Sequence, residues 1–468
     1  MRAFMTQNTK HATILGSTYA IPLDTLSASL AAEARAELTL PPKSGFGPPP
    51  PPVVAWFERD NHLHVPRYYG MERYGRPVVD LRSDGVELRA TSFVATLTDL
   101  QTRAIDTVVK KHFSCRATQD SGAMVCIPCG MGKTVLAVYL VSQVLKRKAC
   151  ILVHKGVIRD QWKKAFENFC PGIRVGIIQG KQWDMEEFDV VIAMVLTLAK
   201  KDIHETALDD IGTVVCDECH HYAAPVMNLA MRKFRAVNII GLTATKDRPD
   251  GLTPLLHWTM GKEAFRAERN GGESVKVSMA IFRNVVREIK NRDGKPLTSV
   301  MTTKLTLNHA RNEFVASRVA TMRRAGRVII VLSDRIEQLK ILHRMIVDLG
   351  IEAGQVGMFY SATPEAARHE ELSREIVLCS YGMANEGLDK READTCVMAS
   401  PKARVTQCIG RVQRPCETKQ EPLVLDVVDE NNVFQTLRWS RQRLYSKEKY
   451  EVQVVEVKDG MDDSVWFS

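Results

Sequence analysis

Apolar residues fall into short runs, and most runs are followed by a longer segment where they recur every three or four positions. The runs at 123–127, 150–154, 175–179, 190–194, 213–216 and 238–242 predict buried strands, and 157–168 and 224–234 carry the helical period between them. Strands alternating with helices imply a parallel sheet covered on both faces. A polar, Gly/Pro-containing stretch at 291–304 reads as a linker, after which the alternation restarts. The second series predicts helices over 308–325 and 335–349, with strands at 327–332, 355–359, 376–380, 395–398 and 423–428.

Residues 1–90 follow another pattern. Five prolines at 48–52 predict a stiff spacer or surface loop, and short strand signals lie at 53–57, 62–65 and 78–81. Tyr68, Tyr69 and Tyr74 with Arg67, Arg73 and Arg76 read either as a base-stacking surface or as an aromatic core with solvated arginines. The expected organisation is an α/β chain: an accessory domain at 1–90, a first domain at 91–290, the linker 291–304, a second domain at 305–435 and a basic tail at 436–468.

Composition changes this picture only a little. A net charge of +9 leans toward a polyanionic partner. No apolar run reaches the ~18 residues that suggest a membrane span. Eleven cysteines, an odd number, suggest reduced thiols in a cytosolic or nuclear compartment. The spacing Cys126-x-x-Cys129 and Cys216-x-x-Cys219 admits a zinc reading, but small apolar core residues suit the strand positions better.

The chemistry centres on 125–134, Val-Cys-Ile-Pro-Cys-Gly-Met-Gly-Lys-Thr, where a strand runs through a glycine turn into a helical segment. Cys129, Gly130, Met131 and Gly132 form a turn whose amides can cradle phosphate, with Lys133 reaching the β- and γ-phosphates and Thr134 offering a hydroxyl to Mg²⁺. Ile127 stands where the general pattern has glycine. Asp217-Glu218, directly after a buried strand, supplies one carboxylate for the metal and one to orient and deprotonate water. Gln407 opens a segment in which Arg411 and Arg414, three apart, are expected on one helix face, as suits γ-phosphate stabilisation.

Taken in order over 97–430, these motifs resemble superfamily 2 nucleic-acid helicases and translocases. The resemblance implies two tandem RecA-like parallel-sheet domains with a small N-terminal accessory domain, ATP and Mg²⁺ as cofactors, and a nucleic-acid partner. It makes Gln101 the candidate adenine reader. It also implies nucleotide contacts at Gly387 and Asp389, finger roles for Arg411 and Arg414, and strand contacts at His154, Lys155, Thr197, Thr243, Thr245, Arg248, Ser333 and Ser380. The run 241–245 followed by Arg248-Pro249-Asp250-Gly251 is similar to the XPB/UvsW-like group of duplex DNA translocases, departing from XPB at Pro249. Residues 65–70 look like helicases of large eukaryotic DNA viruses, of the poxvirus transcript-release type. These likenesses imply a monomeric, intracellular or virion motor acting on DNA rather than RNA, with the transcription machinery as a candidate partner. A remodeller that releases transcript or polymerase without separating strands, and a non-motor P-loop NTPase or kinase, remain alternatives.

Overall fold

A computed structural model describes residues 12–43, 50–113, 121–128, 130–244, 248, 250–268, 275–283, 286–386, 388–414, 416, 418–430 and 432–457. Cys129, Thr245, Pro249 and Gly387 lie outside the described residues, as does part of the proline run. The chain divides into two compact units, Met1–Glu268 and Arg269–Ser468.

The first unit opens with short strands: β1 (Ile14–Leu15), β2 (Tyr19–Pro22), β3 (Thr39–Leu40), β4 (Val53–Val54), β5 (Phe57–Arg59), β6 (His62–Val65) and β7 (Val79–Asp80). Five of them form a sheet ordered β5-β6-β2-β1-β7. Helix Arg67–Tyr74 buries Tyr68 and Tyr69 in a core shared with Met124, Cys150 and Leu152 of the larger sheet. Arg67 is buried and donates to the carbonyls of Gly16, Phe234 and Ala236, while Arg73 pairs with Glu33 and Glu37. These side chains therefore build the accessory core and its ion pairs rather than an open stacking platform. Residues 1–90 belong to the same compact unit as the sheet that follows.

That sheet comprises β8 (Gly122–Cys126), β9 (Ala149–Val153), β10 (Val175–Gln179), β11 (Gln182–Trp183), β12 (Val190–Met194), β13 (Thr213–Cys216), β14 (Asn238–Thr243) and β15 (Glu263–Arg266). Its order is β11-β10-β12-β9-β13-β14-β8-β15, parallel except for the β10–β11 hairpin. β8, β9 and β13 are buried along their whole length, which is why each reads as a continuous apolar run. Parallel pairing also brings the carboxyl ends of β8, β14, β13, β9 and β12 to one edge, where ligands of such sheets sit.

The second unit is a seven-stranded parallel sheet of β16 (Lys276–Arg283), β17 (Ile329–Ser333), β18 (Val356–Phe359), β19 (Ile376–Ser380), β20 (Thr395–Met398), β21 (Leu423–Glu430) and β22 (Glu451–Glu456), ordered β18-β19-β17-β20-β21-β16-β22. Three expectations change here. β16 falls within the span assigned to the first domain, yet it pairs with β21 and β22, so the division lies at 268/269 rather than 290/291. The expected linker contains most of helix Thr298–Thr306, whose Met301 and Leu305 are buried against Phe434. The described part of the expected tail is structured: helix Asn432–Lys447 places Arg441 and Tyr445 on buried Asp426, each at 2.8 Å, and β22 adds an edge strand.

Candidate active site

After β8 the chain turns through Gly130 (φ 83°) and Gly132 (φ 76°) into helix Lys133–Tyr139. Both glycines occupy the left-handed region, where a side chain would be strained, so the turn needs them. Lys133 lies back over this turn, its Nζ donating to the Ile127 carbonyl at 3.1 Å. The Ile127 amide in turn donates to Thr243 O at 3.0 Å, tying the start of the turn to the end of β14. Met131 and Thr134 are half-buried and Gly130 is exposed.

Gln101 is only 4% exposed. Its Nε2 donates to Gly132 O at 3.1 Å, and its Oε1 accepts the Thr98 amide at 2.8 Å in a capping box that starts helix Asp99–Val108. The glutamine expected to read adenine thus also holds the carbonyl of the phosphate turn, a role its sequence position does not reveal.

Asp217 and Glu218 emerge from β13, two strands from β8 with β14 between them. Asp217 Oδ2 accepts the Trp162 indole N–H at 2.8 Å, and Oδ1 accepts the Glu218 amide at 2.9 Å. Burial pushes the Asp217 carboxyl up and the Glu218 charge adds to this, while the Trp162 bond and the Lys133 charge pull it down; the net direction is upward. Each of its oxygens retains acceptor capacity for a cation. Glu218 has a left-handed backbone, φ 46° and ψ 53°, and its buried Oε2 accepts no hydrogen bond. His220 Nδ1 lies 3.4 Å from that oxygen and 3.1 Å from Thr243 Oγ1, and Tyr222 donates to Leu152 O at 2.7 Å. Cys126, Cys216 and Cys219 are buried, and burial pushes their thiols up, that of Cys126 to about 12. They pack as small core residues.

The candidate strand contacts are arranged unevenly. His154 and Lys155 follow β9 at the start of helix Gly156–Phe169, with the His154 ring 4.5 Å from that of His221. Thr197, in helix Val195–Lys200, accepts the Gly180 amide at 3.2 Å. Thr243 is buried at the end of β14. Arg248 is engaged within its own lobe, donating to Asp250 and to the His220 carbonyl. Burial would raise the Asp250 carboxyl, but the Arg248 and Leu252 N–H groups outweigh it and hold the group below the usual carboxylate range.

In the second unit Ser333 is fully buried, donating to Gln338 Oε1 at 2.6 Å and accepting the Arg335 amide at 3.0 Å. Its hydroxyl has no exposed surface for a strand contact. Ser380 is half-buried at the end of β19. Helix Thr406–Val412 carries Gln407 and Arg411 but ends before Arg414, so the two arginines do not share a helix face. They converge nonetheless on one segment. Arg411 donates to the carbonyls of Ala384 (3.0 Å) and Asn385, and Arg414 pairs with Asp389.

A glycine turn with a lysine, a carboxylate with metal-binding capacity and a second carboxylate short of donors can together bind and hydrolyse a nucleoside triphosphate. Residues 95–248 match the family described as type III restriction enzyme, res subunit. A protein of Acanthamoeba polyphaga mimivirus, named as an ATP-dependent RNA helicase, is 27% identical over 414 residues, covering 87% of this chain and 78% of the relative. The XPB helicase/translocase subunit of general transcription and DNA repair factor IIH from Encephalitozoon cuniculi is 27% identical over 201 residues, 40% of this chain and 28% of that one. Among solved structures, a fragment described as the HsdR subunit of a type I restriction enzyme from Vibrio vulnificus aligns with a TM-score of 0.55 at 17% identity, covering 78% of this chain and 69% of the other.

Proposed function

Because the chain is an ATP-hydrolysing helicase of superfamily 2, similar to those of large DNA viruses and to XPB, we propose that it is a motor that tracks along DNA, stimulated in turnover by the strand it holds. The observation that carries this reading is the meeting of Lys133, Asp217 and Glu218 at one edge of a parallel sheet, with strand-contact candidates on the neighbouring strand ends. In this reading the amides of 129–134 and Lys133 hold the phosphates, and Gln101 keeps their turn in shape. Thr134 and Asp217 hold Mg²⁺, which when bound offsets the charge of the β- and γ-phosphates. Glu218 orients the attacking water and takes its proton through the oxygen that lacks a donor. Arg411, Arg414 and Gln407 are the proposed γ-phosphate groups, and Gly387 and Asp389 are proposed nucleotide contacts.

His154, Lys155, Thr197, Thr245, Arg248 and Ser380 are the proposed strand contacts; burial makes Ser333 a support for its loop instead, and Thr243 a support for His220 at the end of β14. A motor of this type holds phosphates rather than bases, so little sequence preference is expected. The mimivirus relative is named for RNA and XPB for DNA repair, which makes RNA tracking the second reading. ATP turnover measured with single-stranded DNA, duplex DNA and RNA separates them. Stimulation by DNA above RNA supports the proposal, a reversed order selects the second reading, and no stimulation by any of the three removes the motor assignment. A triplex-displacement assay beside a strand-displacement assay then tells tracking or remodelling, including release of transcription machinery, from unwinding.

A further inference from the structure

Trp162 has a feature that packing alone does not require. Its side chain is 1% exposed, and its indole N–H, which a buried tryptophan must satisfy, goes to the Asp217 carboxylate 55 residues away rather than to a nearby carbonyl. The Glu218 amide holds the other oxygen. Together the two N–H groups fix the rotation of the carboxylate and therefore the direction of its remaining lone pairs. Trp162 also belongs to the helix that begins just after His154 and Lys155, so this helix and Asp217 are joined by one hydrogen bond.

We propose that Trp162 is a positioning residue that orients Asp217 toward the divalent cation of the nucleotide site. A ligand whose second oxygen is held by an outer donor meets the metal from one direction, and such outer partners are worth about ten- to a hundredfold in metal affinity. The inference rests on the assignment of Asp217 as metal ligand made above.

The test uses the full chain and a fluorescent ADP analogue, so that no turnover enters. Trp162→Phe keeps an aromatic ring beside Phe166, its neighbour at 6.1 Å between centroids, and removes the N–H. The expected result is unchanged ADP affinity without Mg²⁺ and a roughly ten- to a hundredfold rise in the Mg²⁺ concentration that half-saturates the tightening of ADP. In an Asp217→Asn background the same substitution has no further effect. An equal loss of affinity with and without Mg²⁺, an unchanged Mg²⁺ requirement, or additive effects in the double variant overturns the proposal. Should circular dichroism show Trp162→Phe unfolded, ¹⁵N-indole labelling of the wild type decides. The Trp162 resonance moves when Mg²⁺ is added to the ADP-bound chain, and an unmoved resonance overturns the proposal. Wild-type ADP binding indifferent to Mg²⁺, or normal ADP binding by Lys133→Ala, brings down the site assignment and the inference with it.

Discussion

Glu218 occupies a backbone region that non-glycine residues visit rarely, φ 46°, and it does so with a buried carboxylate oxygen that accepts nothing. Both features cost folding free energy, ~1–3 kcal/mol for the backbone alone, and such outliers concentrate where the side chain must be aimed. Glu218→Gln keeps shape and volume but cannot take a proton. ATP binding, followed with a fluorescent analogue, should persist while turnover falls ~10²–10⁴-fold; normal turnover removes the base assignment. Lys133→Ala should lose ATP binding or turnover, because no other side chain of the turn carries positive charge. The two arginines of the second unit differ in kind. Arg411 is buried and donates to two backbone carbonyls, so Arg411→Ala should lower stability by ~1–3 kcal/mol, visible as a lower denaturant midpoint. Arg414 faces an exposed carboxylate, a pair worth ~0–1 kcal/mol. Arg414→Ala should leave the midpoint nearly in place and the ATP affinity little changed while turnover drops by ~10³–10⁵. A large midpoint shift for Arg414→Ala would show that it serves the fold instead.

At the scale of elements, the strands most legible in the sequence are those buried on both faces, since β12, β13, β19 and β20 coincide with apolar runs. β22 escaped because it is an edge strand with Val452 and Val454 exposed, and the helix Thr298–Thr306 because its threonine-rich sequence has no marked apolar stripe. The site shows the same division. Lys133, set by the glycine turn before it, and Asp217, directly after β13, are placed by local sequence, whereas the bonds from Trp162 to Asp217 and from Gln101 to Gly132 join segments 55 and 31 residues apart and have no local signature. The accessory sheet offers a test by pH. His64 of β6 stacks on Phe57 at 4.6 Å and meets Thr18 Oγ1 at 2.9 Å. Burial, then the charges of His62 and Arg59, lower its pKa from 6.5 to about 4. The fold therefore disfavours the protonated ring, and as pH falls below 6.5 the unfolded chain takes up the proton first. The His64 contribution to stability should be level above pH 6.5, fall between 6.5 and about 4 by on the order of 3 kcal/mol, and level off below. Urea midpoints at pH 7 and pH 4.5 measure this. His64→Gln should shrink the difference, and an equal difference in the variant assigns the pH dependence elsewhere.

For the molecule as a whole, a net charge of +9 sets a long-range attraction to polyanions, but which cations touch phosphate is a separate question. Among the proposed contacts only Lys155 and Arg248 carry a permanent positive charge, and each already has a partner within the protein. The rest would bind through hydroxyls, an imidazole and backbone amides, which add affinity without releasing counterions. Removing either cation should therefore change the salt dependence, and Lys155, which precedes helix Gly156–Phe169, gives the test. Binding of a labelled single strand, measured from about 50 to 200 mM KCl, should weaken steeply for the wild type. Lys155→Ala should weaken it by a similar factor for every base sequence and make the log–log slope shallower by about 0.7–0.9. Ser333→Ala should alter neither, since that hydroxyl is buried beneath the surface a strand could reach. An unchanged slope for Lys155→Ala would show that Lys155 neutralises no phosphate and removes it from the proposed contacts. A slope that changes for one base sequence only would mean that Lys155 reads a base edge, a form of recognition at odds with a motor that advances along any sequence.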